Sequence, residues 1–341
     1  MHVKKLRVLA LVHDHLVPPE DTTGIDVLEA EWKMEYDVIE TLREIGHEVR
    51  VLGISDNLGS IRPIAGLFKP HIVFNLMEAF AGIPTFDQNV VSYLELLHLP
   101  YTGCNPRGLI LARDKALSKK LLAYHRIPVP EFTVVRPGRK PTLPKRLGFP
   151  LIVKSLFFEA SAGISQASVV EDEDQLARRA TFIHETLGTA AIAEQFIDGR
   201  EIYVGVIGNE RLDVLPPWEM SFAGMPDNRW RIATERVKWS TKYQKKHGIM
   251  TDRARLDASL LDRVQRVAKR AYRALDLSGY ARVDLRMDEE GRIHVLEANP
   301  NPNMAYGEDF SESAEASGVS YERLLERIIA LGRRWEPART G

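Results

Sequence analysis

The chain has 341 residues, 44% hydrophobic and 27% charged, with a formal net charge of −1. This is the profile of a soluble globular chain of roughly two or three domains, with no basic field to attract nucleic acid or an anionic membrane. A single cysteine, Cys104, excludes an internal disulfide, and no apolar run reaches the roughly 18 residues that span a bilayer. The opening stretch MHVKKLRVLALVHDH is too short in apolar residues for a secretory signal, so a cytoplasmic chain is expected.

Leu6–Val12 is a short apolar run with the character of a buried parallel strand. Leu28, Trp32, Ile39 and Leu42 then recur at helical spacing, which predicts a helix over Asp26–Ile45 ended by Gly46. Strands follow at Glu48–Ile54 and His71–Leu76, and a helix at Phe86–Leu97. The alternation of strand and helix favours a parallel α/β layer. The pattern changes near Cys104, where we place a domain boundary.

Beyond it, Asp114–Tyr124 reads as a short amphipathic helix, followed by a Pro-rich basic stretch to Arg146. Leu151–Lys154 reads as a strand, Glu171–Leu187 as a helix and Ala191–Phe196 as a strand. Glu201–Ile207 and Arg211–Leu215 form a hairpin around Gly208-Asn209-Glu210. Pro216–Thr251 is long, polar and aromatic without a clear period, as functional loops often are. Asp257–Leu275 is a strongly amphipathic helix and Tyr321–Leu331 a closing one.

Between those two helices lies YARVDLRMDEEGRIHVLEANPNPN, Tyr280 to Asn303. A turn at Asp288–Gly291 that pairs Met287 with Arg292 places Arg282 opposite Glu297. Side chains alternate along each strand, so Arg282, Asp284, Glu297 and Asn299 share one face. Two carboxylates so close repel unless a cation lies between them. Mg²⁺ commonly takes one or two carboxylates plus substrate phosphates. The other reading is a solvated face with Arg–Glu pairs, which contributes little. The rigid, polar tail Asn299-Pro300-Asn301-Pro302-Asn303 starts beside the carboxylates and favours a site.

RVDLRMDEEGRIHVLEANPNPNM closely resembles the metal-binding hairpin of the ATP-grasp superfamily, in the form found in D-alanine–D-alanine ligases. The resemblance runs from about Leu99 to Leu331 and more weakly before. It implies an α/β (α+β) ATP-grasp fold: an N-terminal parallel α/β domain (1–103), then a central subdomain (104–192) and a C-terminal subdomain with the metal site (193–335), which clamp ATP between them. It further implies that Asp284, Glu297 and Asn299 hold two Mg²⁺ ions, or Mn²⁺, against the phosphates of ATP, and that Arg282 stabilises the transition state. Lys115 in ARDKALSKKLL and Lys154 in FPLIVKS match the two nucleotide-phosphate lysines. FFEASAGIS resembles the flexible phosphate-covering loop, with Ser161 at its hydroxyl position. AIAEQFIDGREIYVGVI resembles the adenine hinge: Glu194 and the backbone near Phe196 and Ile197 meet the base, and Glu201 the ribose. Lys238-Trp239 stands where the family has Lys-Tyr on a mobile loop.

The substrate half departs from the family. HDHLVPPEDTTGIDVLEAEW does not match the family's glycine-rich first-substrate loop; Asp26 or Glu29 would have to replace its glutamate. Asn303 replaces the glycine whose backbone N–H meets the reaction oxyanion, and Glu308 stands where a serine contacts the acceptor's carboxylate. The implied activity is ATP-dependent carboxylate–amine ligation through an acyl phosphate, acting on small amino acids or peptides with an acceptor other than D-alanine. A hydroxyl, thiol or larger peptide acceptor, or a non-catalytic ATP- or metabolite-binding regulator, are the other readings. Family habit implies a homodimer. His13-Asp14-His15 is read as a strand-end loop and Cys104 as a structural thiol.

Overall fold

The computed structural model describes residues 5–158 and 161–337, and only the backbone of Trp239 and Thr241. Glu159 and Ala160, in the loop expected over the phosphates, and the Trp239 side chain lie outside the described residues.

The first sheet is parallel, in the order β2 (Glu48–Ile54), β1 (Arg7–His13), β3 (Ile72–Asn75), and a parallel bridge from Val73 to Tyr101 extends it. The central strand is apolar at successive positions because both of its faces are covered. Val8, Ala10 and Val12 pack with Val38, Ile39 and Leu42 of the helix Lys33–Glu44. Leu9 and Leu11 pack with Ile61, Val90, Val91 and Leu94 on the other side. That first helix is shorter than its spacing predicts. Val27–Glu29 is a separate 3₁₀ turn capped by Asp26, and Leu28 is 75% exposed, so its place in the apolar spacing marks no buried face. Among the helices with no counterpart in the expectations are two in the first half of the chain. Ile61–Phe68 lies between β2 and β3, and Pro106–Arg113 starts with the Asn105 side chain accepting from Gly108 N and Pro106 in the first turn.

The second sheet is antiparallel, ordered β4 (Phe132–Val135), β7 (Ala191–Gln195), β5 (Leu151–Ser155), β6 (Val169–Val170). Helix Glu173–Leu187, capped by Asp172, buries Leu176, Ala180 and Ile183 against it. The chain passes to the third sheet between Gln195 and Arg200. There β11 (Met250–Arg253), β10 (Trp218–Ser221), β8 (Arg200–Ile207), β12 (Tyr280–Met287) and β13 (Ile293–Pro300) lie side by side, with β9 (Asp213–Val214) also on β8. The stretch expected to lack regular structure therefore supplies two paired strands, β10 and β11, and the short helices Glu235–Trp239 and Thr241–His247.

Helix Ala258–Ala274 packs Val264, Ala268 and Ala271 into a core that holds Val204 and Val283 from the third sheet and Leu9 and Leu11 from the first. Helix Tyr321–Gly332 returns to the first sheet, with Leu324, Leu325 and Ile328 in one cluster with Val8 and Ile72. The first and third sheets thus share continuous apolar packing. The second sheet has its own core and faces the third across a cleft.

Candidate active site

The hairpin β12–β13 forms one wall of the cleft, in a register that differs from the expected one. Met287 faces Ile293, one residue away from the expected Arg292. A β-bulge between Asp284 and Leu285 then inserts Leu296, so Asp284 faces Glu297 directly and Arg282 faces Asn299. The four side chains still share a face, and the two carboxylates become direct cross-strand neighbours. Such neighbours have Cβ atoms about 5 Å apart.

Asp284 and Asn299 are buried and Glu297 half-buried. Arg282 donates to both Asp284 oxygens, at 2.7 and 3.0 Å. Burial raises the Asp284 carboxyl above its usual range, although Arg282 opposes the shift. Glu297 moves the other way. Burial alone would raise it, but the ammonium groups of Lys115, Lys154 and Lys238 outweigh that and hold it well below the carboxylate range. Lys115 Nζ is 3.3 Å from Glu297 Oε2 and donates to the Phe158 carbonyl at 2.9 Å. Two adjacent carboxylates, one strongly ionised and one held by a single arginine, are a hard oxygen donor set.

This set fits a divalent cation. Each ionised carboxylate offers about four lone-pair directions, so Asp284 keeps acceptor capacity beyond Arg282. Among the described residues the Asn299 amide nitrogen is buried without a hydrogen-bond partner, and its side chain shares the face of the two carboxylates. Among the described residues no group of three or more His, Cys, Asp or Glu side chains could hold a metal unaided. Two carboxylates and an amide would need further oxygens, such as a ligand's phosphates, to complete the shell.

The opposite wall comes from β5 and β7. The cleft is lined by Lys154 and Glu194 from this wall, Phe196 and Ile197 from the connection to β8, and Asp284 and Glu297 from the hairpin. Glu194 is fully buried, with Lys154 at 3.2 Å and Lys119 at 3.4 Å. Its charge is committed to these lysines, which leaves the Gln195–Ile197 backbone and the Phe196 ring as the neutral part of the wall. Burial would lower the Lys154 ammonium, but Glu194 and Glu297 raise it above its ordinary value. Glu201 accepts from Arg286 at 2.7 Å and from the Tyr203 hydroxyl at 2.8 Å. Arg286 also donates to the carbonyls of Ile197, at 3.0 Å, and Arg231.

Two segments cover the opening. Ser161 Oγ donates to Ala233 O at 2.7 Å, and Glu235 N to Ile164 O at 3.1 Å. Gln166 and Trp230 exchange side-chain-to-backbone bonds at 2.8 and 3.0 Å, and the Trp230 ring meets Phe196 edge-on. The Ser161 hydroxyl thus joins the two covering segments, and Lys238 lines the cleft beneath them. Asn303 is not among the lining residues; its side chain accepts from Ala305 N at 2.9 Å in the turn after β13. Glu308 is solvent-accessible at the start of helix Asp309–Ala316, with its carboxyl surrounded by protein on most sides. Burial and Asp309 raise its carboxyl, and Lys33 and Arg282 act against them.

Three residues at the site were not picked out in the sequence. Arg286 follows Arg282 and Asp284 at the same two-residue step, so alternation alone puts it on their face. Tyr203 stands in the same relation to Glu201. Lys119 is one helical turn beyond Lys115 and therefore on the same side.

An N-terminal parallel sheet followed by two antiparallel sheets that enclose a cleft, roofed by two covering segments, defines the ATP-grasp fold. The crystal structure of D-alanine–D-alanine ligase from Bacillus anthracis complexed with ATP is similar over 96% of this chain and 98% of that one, with a TM-score of 0.73 and 24% sequence identity. The family described as D-ala D-ala ligase C-terminus matches residues 121–330. The D-alanine–D-alanine ligase of Desulfotalea psychrophila is 32% identical over 254 residues, covering 74% of this chain and 76% of that protein. An uncharacterized protein of Sinorhizobium fredii is 31% identical over 302 residues, covering 87% of this chain and 86% of that one. The chain belongs to the D-alanine–D-alanine ligase family.

Proposed function

We propose that the protein is an ATP-dependent carboxylate–amine ligase that makes an amide bond through an acyl phosphate, with an acceptor other than D-alanine. The observation that carries the reading is the pairing of Asp284 with Glu297 across the bulged hairpin, inside a cleft that also holds Lys154 and Lys238. A carboxylate oxygen of the first substrate takes the γ-phosphoryl group of ATP and releases ADP. An amine then attacks the acyl carbon, the C–O bond to phosphate breaks, and the amine gives up a proton.

In this reading Asp284, Glu297 and Asn299 hold two Mg²⁺ ions. Bound there, the ions neutralise charge on the terminal phosphates as the phosphoryl group moves. Lys115 and Lys154 bind phosphate oxygens. Arg282, already held at Asp284, faces the developing oxyanion, joined by the Asn303 backbone N–H. The segments joined through Ser161 and Glu235 exclude water, which would otherwise hydrolyse the acyl phosphate. The Gln195–Ile197 backbone and Phe196 receive the base, and Glu201, fixed by Arg286 and Tyr203, the ribose.

The acidic rim supports the changed acceptor. Glu308 and Asp309 stand within electrostatic reach of Arg282, where a second carboxylate would meet repulsion. The test is ADP release screened over pairs of amino acids and short peptides, with the product identified by mass. Release that requires two substrates and is absent in Glu297→Gln supports the reading. Release that needs no acceptor, or product from D-alanine alone, contradicts it.

A further inference from the structure

Lys119 has no role in the reading above, yet it is among the most deeply buried charged side chains of the protein, at 0% exposure. It sits on helix Lys115–Tyr124, which packs against both β4 and β13 and so touches the second and third sheets. Its Nζ donates to the Leu296 carbonyl at 2.5 Å and lies 3.4 Å from Glu194 Oε1. Leu296 is the residue that the bulge inserts. An inserted residue drops out of the ladder, so its carbonyl must find a partner elsewhere. β13 is the edge strand of its sheet, and Lys119 reaches it from outside. The neighbouring Val295 N–H is satisfied on the same edge by the Pro128 carbonyl at 2.9 Å.

We infer that Lys119 is a positioning residue for the divalent-metal site: it pins the bulge that brings Glu297 opposite Asp284. The inference rests on the proposed function. Without the ammonium, a part-buried carbonyl loses its donor, and the strand recovers a partner by absorbing Leu296 into the ladder. A one-residue slip turns every side chain beyond it to the other face. Glu297 then leaves Asp284, and Asn299 leaves Arg282. Lys119 does not touch the metal or the phosphates; it acts through the backbone of Leu296.

The experiment measures Mn²⁺ binding by electron paramagnetic resonance in the full-length protein saturated with ADP. Wild type is compared with Lys119→Met, which keeps the stem and removes the donor, and Lys119→Gln, which keeps a donor. ADP affinity is measured separately in EDTA, and folding by circular dichroism. The expected result is Mn²⁺ affinity weakened about tenfold or more in Lys119→Met, the scale of a carbonyl left without its charged donor. Lys119→Gln falls between Lys119→Met and wild type, and metal-free ADP affinity changes much less than Mn²⁺ affinity. If Lys119→Met does not fold, Lys119→Gln carries the comparison. Mn²⁺ affinity within about twofold of wild type in a folded variant, or an equal loss of metal-free ADP binding, overturns the inference. Absence of Mn²⁺ binding in the wild type would instead overturn the proposed function.

Discussion

Replacing Glu194 by Gln removes the only carboxylate within ion-pair distance of both Lys119 and Lys154 among the described residues, while keeping its shape. The ammonium groups lie 3.4 and 3.2 Å from its oxygens. At an effective dielectric constant of about 20, each such pair is worth about 5 kcal/mol of attraction. The variant recovers the cost of burying the carboxylate, and removal of one partner from a buried ion pair typically leaves a net loss of about 3–5 kcal/mol. The loss depends on pH. Burial pushes Lys119 down to about 8, while Glu194 acts to raise it. The unfolded chain therefore binds more protons than the folded one between about pH 8 and the ordinary lysine value, and stability rises with pH through that window. In Glu194→Gln the window opens at lower pH, because Lys119 has lost the group that raised it. The gap between variant and wild type should be about 3 kcal/mol at pH 7 and clearly smaller at pH 9, where wild-type Lys119 is itself mostly neutral. Urea denaturation at both pH values measures it. A gap under about 1 kcal/mol at pH 7, or one that widens toward pH 9, refutes the reasoning.

Cys104 is fully buried and burial pushes its thiol up to about 12, so native protein should resist iodoacetamide at pH 8 and become modified only in denaturant. Alkylation of the native chain as fast as of free cysteine would contradict that placement. Arg286→Met should raise the KM for ATP about tenfold, because it removes the donor to Glu201 and leaves the Ile197 and Arg231 carbonyls without it. A steady-state titration that finds KM unchanged would detach Arg286 from the nucleotide site.

The sequence made the hairpin legible because turn residues and alternation both act locally. Asp288–Gly291 closes the turn, and Arg282, Asp284, Glu297 and Asn299 fall on one face as alternation requires. The bulge was not legible. Leu296 is as apolar as its neighbours, and the group that satisfies its carbonyl is Lys119, 177 positions away in the chain. Lys119 itself sits in a run of lysines on a short helix, a pattern that normally marks a solvated face. Strands β10 and β11 were hidden for a related reason: they pair with each other across nearly thirty residues of loop and short helix, so no local period announces them. The overlong first helix is the reverse case. Leu28 and Trp32 continue the spacing of Ile39 and Leu42, but Leu28 is left exposed, and spacing without burial did not extend the helix beyond Lys33.

The central claim is that Asp284, Glu297 and Asn299 converge on metal ions that bridge a nucleotide's phosphates. Anomalous diffraction from crystals grown with Mn²⁺ and ADP tests it most directly. The account predicts manganese peaks within about 2.5 Å of oxygens from all three side chains and from the β-phosphate. Nucleotide bound in the cleft with manganese elsewhere, or with Glu297 turned away from Asp284, would contradict it.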